Sequence, residues 1–328
     1  MSQAAQSAAA AKAKSGGPAE RARGALLANS HLILLLVLCL MLTELSPAFL
    51  TTGNVLNVFR QASLLLILAL AQMLVMLTAG IDLSNGAIVA LSSCVAGVVL
   101  RDYGLVPGVV TGLAIGGLCG AANGLMVTRI GLPSFIAPFG AMWAYRGLAF
   151  LFLGGEVVFG FSPAFRFIGA GQVLGIPAPI LIAAAVALAF YFLLSRTAFG
   201  RAVYGVGANS RAAFFAGIRV ERTLFRTYTL AGVVAAGVGL ILIARLDAAE
   251  PLIGESFPLD SIAAAVIGGT SFDGGVGTVR GTLMGALIMT VILNGLNLLG
   301  VSSYWQGFVT GAVVVITLLV NTWIGHRQ

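Results

Sequence analysis

Arg60-Gln61-Ala62-Ser63-Leu64-Leu65-Leu66-Ile67-Leu68-Ala69-Leu70-Ala71-Gln72-Met73-Leu74-Val75-Met76-Leu77-Thr78-Ala79 carries a single charge, at its first residue. A helix needs about 20 consecutive, mostly apolar residues to cross the hydrocarbon core of a bilayer. This stretch has that length and that composition. Further apolar runs lie at 31–50, 83–100, 105–128, 133–153, 176–195, 224–244, 259–269, 281–300 and 303–324. The pattern predicts an all-α polytopic membrane helix bundle of about eight to ten transmembrane helices, with one or two short or broken ones. The run 259–269 is too short to cross easily by itself and reads as a half-helix. Such a half-helix is stable where protein or a water-filled cavity surrounds it. The run 83–100 opens on a break at Gly80-Ile81-Asp82-Leu83-Ser84.

Composition agrees. Apolar types make up 59% of the chain and charged types 9%, against roughly a quarter charged in ordinary soluble domains. The 43 glycines fit close helix–helix approach in a membrane better than a loop-rich soluble fold. Cys39, Cys94 and Cys119 lie inside apolar runs and read as small packing residues. The net charge of +7 sits at the ends of runs, which is the signature of topology and not of nucleic-acid binding.

Residues 1–28, rich in Ala, Ser and Gly with Lys12, Lys14, Arg21 and Arg23, read as a disordered basic cytoplasmic tail. The membrane-spanning domain is expected over 29–325. A basic start before an apolar run resembles a signal peptide, but the run continues to Leu50 without a small-residue cleavage site and reads as a retained span. With a cytoplasmic N-terminus and all ten runs crossing, thirteen of the 18 Lys and Arg fall inside and four (Arg60, Arg101, Arg166, Arg245) outside, with Arg146 within a span. That split obeys the positive-inside rule. If 259–269 did not cross, Arg280 and Arg327 would move outside, against the rule.

The sequence also echoes itself. Ile81-Asp82-Leu83-Ser84 and Leu259-Asp260-Ser261-Ile262 each begin a short apolar element. Gly116-x-x-x-Gly120 precedes Asn123-Gly124-Leu125, and Gly281-x-x-x-Gly285 precedes Asn294-Gly295-Leu296. In this topology the two copies run in opposite directions, as in the inverted repeats of transporters. Catalytic chemistry is not legible. The only lysines, Lys12 and Lys14, lie in the tail, so no P-loop lysine exists. Gly274-Gly275-Val276-Gly277 has no preceding strand and reads as a turn. His31 and His326 have no catalytic or metal-ligand partners in sequence. No enzyme activity, cofactor or metal is expected.

With these residues in view, the chain resembles the ribose-type (monosaccharide) permeases of ATP-binding-cassette importers. The resemblance covers nearly all of 45–324. It rests on Gly80-Ile81-Asp82-Leu83-Ser84-x-Gly86, on Asn123-Gly124 with Pro133-Ser134-Phe135-Ile136, and on Thr197-x-Phe199-Gly200-Arg201-x-Val203-Tyr204 before Gly207-x-Asn209. The longest shared stretch is Leu259-Asp260-Ser261-Ile262-Ala263-Ala264-Ala265-Val266-Ile267-Gly268-Gly269-Thr270-Ser271, continuing through Gly274-Gly275-x-Gly277-Thr278. Asn294-Gly295-Leu296 and Tyr304-Trp305-Gln306 follow. Asn85 and Pro138-Phe139 depart from the family pattern, which bears on solute identity. Permeases for nucleosides, branched-chain amino acids and the autoinducer furanose are related alternatives. The resemblance implies the inner membrane, a homodimer, a cytoplasmic ATPase, a periplasmic solute-binding protein and a small-molecule sugar as cargo, with lipid around it.

The segment 195–226 carries six arginines, and Asn209-Ser210 and Gly217 bracket a short helix. Arg201, Asn209, Arg211, Phe214, Phe215 and Gly217 are the candidate contacts to the ATPase. A helix resting on anionic headgroups is the alternative. A path for a neutral polyhydroxylated solute needs hydrogen-bonding groups, for which Gln72, Thr78, Asn85, Asn123, Asn294 and Asn297 are candidates. Each also suits the weaker role of bonding helices together. A self-sufficient ion-coupled transporter would need intramembrane carboxylates; Glu44, Asp82 and Asp260 lie at element boundaries. Arg146 is an intramembrane charge that either pairs with a carboxylate or helix-end carbonyls, or snorkels. The topology is directly testable. In intact cells a cysteine at Ser210 should resist membrane-impermeant maleimide and react only after permeabilisation; labelling from outside would invert the arrangement.

Overall fold

The computed structural model describes residues 30–325. The expected tail over 1–28, His326 and Arg327 lie outside the described residues. All ten apolar runs become helices: α1 (Ser30–Leu45), α2 (Thr52–Met76), α3 (Asn85–Tyr103), α4 (Leu105–Thr128), α5 (Ile136–Leu153), α7 (Ala178–Arg196), α10 (Val220–Leu246), α11 (Phe257–Ile267), α12 (Val279–Leu298) and α13 (Ser303–Gly325). Seven are long and apolar enough to cross a membrane. The shorter apolar stretches are His31–Leu45, Phe257–Ile267 and Tyr304–Thr317. Between them lie α6 (Pro163–Ala170), α8 (Ala198–Ala208) and α9 (Ser210–Phe215). The strands are two-residue pieces. β1 (Val158–Phe159) pairs antiparallel with β4 (Ala248–Ala249), and β2 (Gln172–Val173) with β3 (Ile176–Pro177).

Residues 154–172 lie between the predicted spans 133–153 and 176–195. The structure places α6 there, with Ser162 at its N-cap and Pro163 at its first position. Both are strong helix-start signals. The helix lies against the end of α10, where a Cβ at Gly169 would collide with the Ala244–Arg245 backbone.

Helix α2 is the central post. From Ala62 to Met76 every residue is buried, and α7, α10, α11 and α12 all touch it. A helix apolar on all faces is stable only inside a bundle or in lipid. By contrast α4, α5 and α7 leave large side chains such as Leu118, Leu151 and Leu188 exposed, as lipid-facing helices do.

Glycine sets the closest approach. On α4, Gly112, Gly116, Gly120 and Gly124 recur every four residues and form one stripe along the helix. The stripe lies on α10. A Cβ at Gly116 would collide with the Gly232 carbonyl and Ala236 Cβ, and one at Gly120 with the Tyr228 carbonyl. The second glycine pair of the sequence echo acts likewise: Gly281 meets the Gly268 carbonyl and Gly285 the Ala264 carbonyl, seating α12 on α11. Small residues give such helices dispersion contacts that hydrophobicity cannot supply in lipid.

The helices alternate in direction between two ends. At one end the turn after α2, the segment before α5, α8 and the turn before α12 meet. There Gly275 N donates to Leu77 O (2.9 Å), Tyr204 Oη to Gly277 O (2.8 Å) and Tyr228 Oη to Ser134 O (3.0 Å). This end carries Arg129, Arg196, Arg201, Arg211, Arg219, Arg222, Arg226 and Arg280; Arg101, Arg166 and Arg245 lie at the other. The close approach of α4 to α10 yields a stability test. Gly120→Val should cost about 1–3 kcal/mol, the usual penalty of overpacking, and lower the thermal midpoint in detergent. Gly140→Ala, with open space around its Cβ position, should be neutral or slightly stabilising.

Candidate functional site

Two helices begin inside the bundle, and their first turns meet. The chain turns back after α2 through the non-helical residues 80–84 and enters α3 at Asn85. From the opposite end it returns after α10 through 247–256 and enters α11 at Phe257. The two starts touch: a Cβ at Gly86 would collide with the Gly254 carbonyl and lie 2.8 Å from Pro258 Cδ. Asn85 Nδ2 donates to Ser261 Oγ at 3.0 Å. At eleven residues, α11 is about 16 Å long, roughly half a bilayer core.

Non-helical backbone inside such a bundle must find its hydrogen bonds from protein, because lipid offers none. Each break has a polar side chain that answers this. At the first, the Gln72 amide spans the Asp82 peptide, 2.9 Å from its carbonyl and 3.2 Å from its N–H, and lies 3.0 Å from the Asn85 amide. Asp82 Oδ1 accepts from Ser84 N (2.8 Å) and Oγ (2.6 Å). Asn123 Nδ2 donates to Ser84 Oγ at 2.7 Å. The Tyr145 hydroxyl lies 2.9 Å from the Cys119 carbonyl and 3.0 Å from Asn123 Oδ1. A polar chain therefore ties the break to α2, α4 and α5.

At the second break Arg146, on α5, donates from Nη1 to the carbonyls of Pro251 (2.5 Å) and Ile253 (3.3 Å). Farther out Asp247, in the left-handed region at φ 56°, caps the strap. Its Oδ1 accepts from Phe161 N (2.9 Å), and its Oδ2 lies 3.4 Å from Arg166 Nη1.

Of the six polar candidates for a solute path, Gln72, Asn85 and Asn123 therefore meet around the first break. The Thr78 hydroxyl donates to the Val75 carbonyl (2.8 Å). Asn294 exchanges amide hydrogen bonds with Asn54 at 2.9 and 3.0 Å, joining α12 to α2. These five are buried; Asn297 is exposed and accepts from Gln306 Nε2 at 2.8 Å. The carboxylates assigned to element boundaries, Asp82 and Asp260, are buried, because those boundaries lie within the bundle. Asp260 Oδ1 accepts from Thr310 Oγ1 at 3.2 Å. Sequence reasoning did not single out Tyr145, Ser261 or Thr310; only their spatial partners reveal them.

The arginine-rich end carries a knob. Helix α8 is wedged between the turn after α2 and the turn before α12, since a Cβ at Gly207 would collide with the Leu77 carbonyl and Gly275 N. Asn209 Oδ1 accepts from Ala212 N (2.9 Å) and starts α9. Gly217 ends the turn at φ 82°. Between them Phe214 and Phe215 are 66% and 80% exposed, and they flank a shallow groove with Arg211, Arg219 and Arg222. Arg201, on α8, is exposed nearby.

Residues 54–318 match the family described as the permease component of branched-chain amino acid transport systems. The chain is 42% identical over 290 residues to the ribose import permease protein of Bacillus subtilis, covering 88% of this chain and 90% of that protein. It is 40% identical over 301 residues to the ribose import permease protein of Escherichia coli K12, covering 90% and 94%. It is 39% identical over 282 residues to the D-allose transport system permease protein of the same strain, covering 85% and 86%. No solved structure matches the chain.

Removing the Arg146 guanidinium leaves two strap carbonyls without their donor, at about 1–3 kcal/mol for a buried unpaired group. Arg146→Gln should therefore lower the thermal midpoint of the purified protein and its accumulation in membranes. Arg101→Gln, on an exposed residue whose ion-pair partner among the described residues is its neighbour Asp102, should change neither.

Proposed function

This chain belongs to the family of permease components of branched-chain amino acid transport systems, and on that premise we propose that it is the membrane-spanning subunit of an ATP-driven importer of a ribose-like monosaccharide. In this reading two copies of the chain enclose the path. A separate ATPase docks at the arginine-rich end, which is cytoplasmic together with the N-terminus, and a periplasmic solute-binding protein delivers the sugar. The excess of arginine at that end supports the orientation. The relatives named for ribose and allose import support a sugar over the branched-chain amino acids of the family description. Nucleosides and the autoinducer furanose are the alternative cargoes.

The observation that carries the reading is the knob. Two exposed phenylalanines project from α9, which directly follows α8, the helix packed on the turns after α2 and before α12. Those turns lead to α3 and follow α11, the two helices that begin inside the bundle. A push on α9 passed through α8 therefore meets the backbone that leads into the first break and the turn that follows α11. Aromatic anchors beside Arg211, Arg219, Arg222 and Glu221 suit a protein groove, because aromatic side chains bury large area per residue. Arg201, Asn209, Arg211 and Gly217 serve the same surface, Asn209 and Gly217 by shaping α9. On the solute side, Asn297 and Gln306 offer accessible hydrogen-bonding groups. Gln72, Thr78, Asn85, Asn123 and Asn294 stand behind the path, holding the breaks and helices that border it. The buried Asp82 and Asp260 are what an ion-coupled mechanism would use instead.

Phe214→Ala combined with Phe215→Ala tests the docking assignment. The double variant should reach the membrane and keep its thermal midpoint. It should lose the co-purifying ATPase and the sugar-stimulated hydrolysis of ATP. Full recovery of ATPase with wild-type stimulation would refute docking at α9 and leave the helix to lipid.

A further inference from the structure

A cavity of about 940 Å³ opens at the arginine-rich end between α1, α7, α8 and the start of α12, away from α9 and from both breaks. Arg280, His31 and Tyr191 give it polar groups, while Leu32, Leu194 and Met284 give it an apolar wall. No lining residue is acidic, and Arg280 joins no ion pair among the described residues. The cavity is thus cationic on one side and apolar on the other. Its position matches that division. Leu32, Leu36 and Val37 of α1 and Leu188, Tyr191 and Phe192 of α7 are exposed, so both bordering helices turn apolar side chains outward, as lipid-facing helices do. Arg280 stands in the first turn of α12, where a membrane-spanning helix leaves the hydrocarbon core.

We propose that this cavity seats the headgroup phosphate of an anionic phospholipid, with Arg280 as its charge partner and the start of an acyl chain against Leu32, Leu194 and Met284. A basic pocket between membrane helices on the cytoplasmic side is chemically suited to such headgroups. A free phosphate would satisfy Arg280 but leave the apolar wall uncovered. Residues 1–28 precede α1 and adjoin the cavity in sequence. They carry Lys12, Lys14, Arg21 and Arg23 against Glu20 alone, so their charge has the same sign as that of Arg280. An anionic headgroup complements both.

Native mass spectrometry of the full-length protein tests this, with dioleoyl phosphatidylglycerol, dioleoyl phosphatidylethanolamine and inorganic phosphate as separate probes. Wild-type protein should retain phosphatidylglycerol in preference to phosphatidylethanolamine. Arg280→Gln, at an exposed position, should keep its thermal midpoint and weaken phosphatidylglycerol binding about fivefold, the effect of one basic residue at a charged membrane surface. Arg129→Gln, at the same end and also exposed, should leave binding unchanged. Equal retention of the two lipids, or undiminished phosphatidylglycerol binding by Arg280→Gln, would overturn the proposal. So would displacement of phosphatidylglycerol by millimolar inorganic phosphate, which would make the ligand a free anion. Binding that appears only after deletion of residues 2–28 would assign the cavity to the N-terminal segment and overturn it equally.

Discussion

Backbone polar groups that leave a helix inside a membrane bundle must be satisfied by protein, and this fold is arranged around two places where that happens. At residues 80–84 the chain gives up helical hydrogen bonding among buried and half-buried residues, and at 247–256 it does so along a strap whose Pro251 and Ile253 are buried while Glu250, Leu252, Glu255 and Ser256 are exposed. Gln72 spans the Asp82 peptide at the first break. Arg146 supplies donors to Pro251 and Ile253 at the second. Both side chains are costly to hold in an apolar surrounding, and both are stabilised by meeting backbone that would otherwise be unpaired. The reward is geometric: α3 and α11 start inside the bundle with their first turns in contact. A helix that starts inside can move at its start without dragging a full membrane crossing.

Close packing fixes where those starts lie. The glycine stripe of α4 holds α10 at a backbone separation that any larger residue would prevent. Since α10 leads straight into the second break, the stripe also sets the height of the strap. Gly268, Gly281 and Gly285 do the same for α11 and α12. At the arginine-rich end Gly207 lets α8 rest on the turn after α2. The base of the knob therefore packs on the backbone just before the first break and on the turn between α11 and α12.

Much of this was legible in the sequence because the strongest signals are one-dimensional. Span length depends on composition, so all ten runs became helices, although α2 begins at Thr52, well before the apolar run at 60, and α1 ends at Leu45, before the run does. The break at Gly80–Ser84 was legible because glycine and aspartate interrupt an apolar run. The strap at 247–256 was not. Asp247, Glu250, Pro251, Gly254 and Glu255 carry no signal of a packed strap, and it is the neighbouring α3 and Arg146 that hold it. Helix α6 was missed although Ser162-Pro163 announces it, because its eight residues are too few for a span. The polar candidates were legible as residue types, but which of them meet is a property of packing. Asn123 reaches Ser84 from 39 positions away, and Asn85 reaches Ser261 from 176.

As proposed, this chain is a passive, gated path whose energy comes from an ATPase seated on α9, and not a self-sufficient transporter using Asp82 and Asp260. Uptake of labelled ribose into proteoliposomes tests it most directly. The vesicles would contain this chain with its ATPase and solute-binding protein, and ATP on the ATPase side. The account predicts uptake that requires ATP and the ATPase and persists when a protonophore and a sodium ionophore collapse all ion gradients. Uptake by the chain alone, driven by an imposed proton or sodium gradient without ATP, would contradict it.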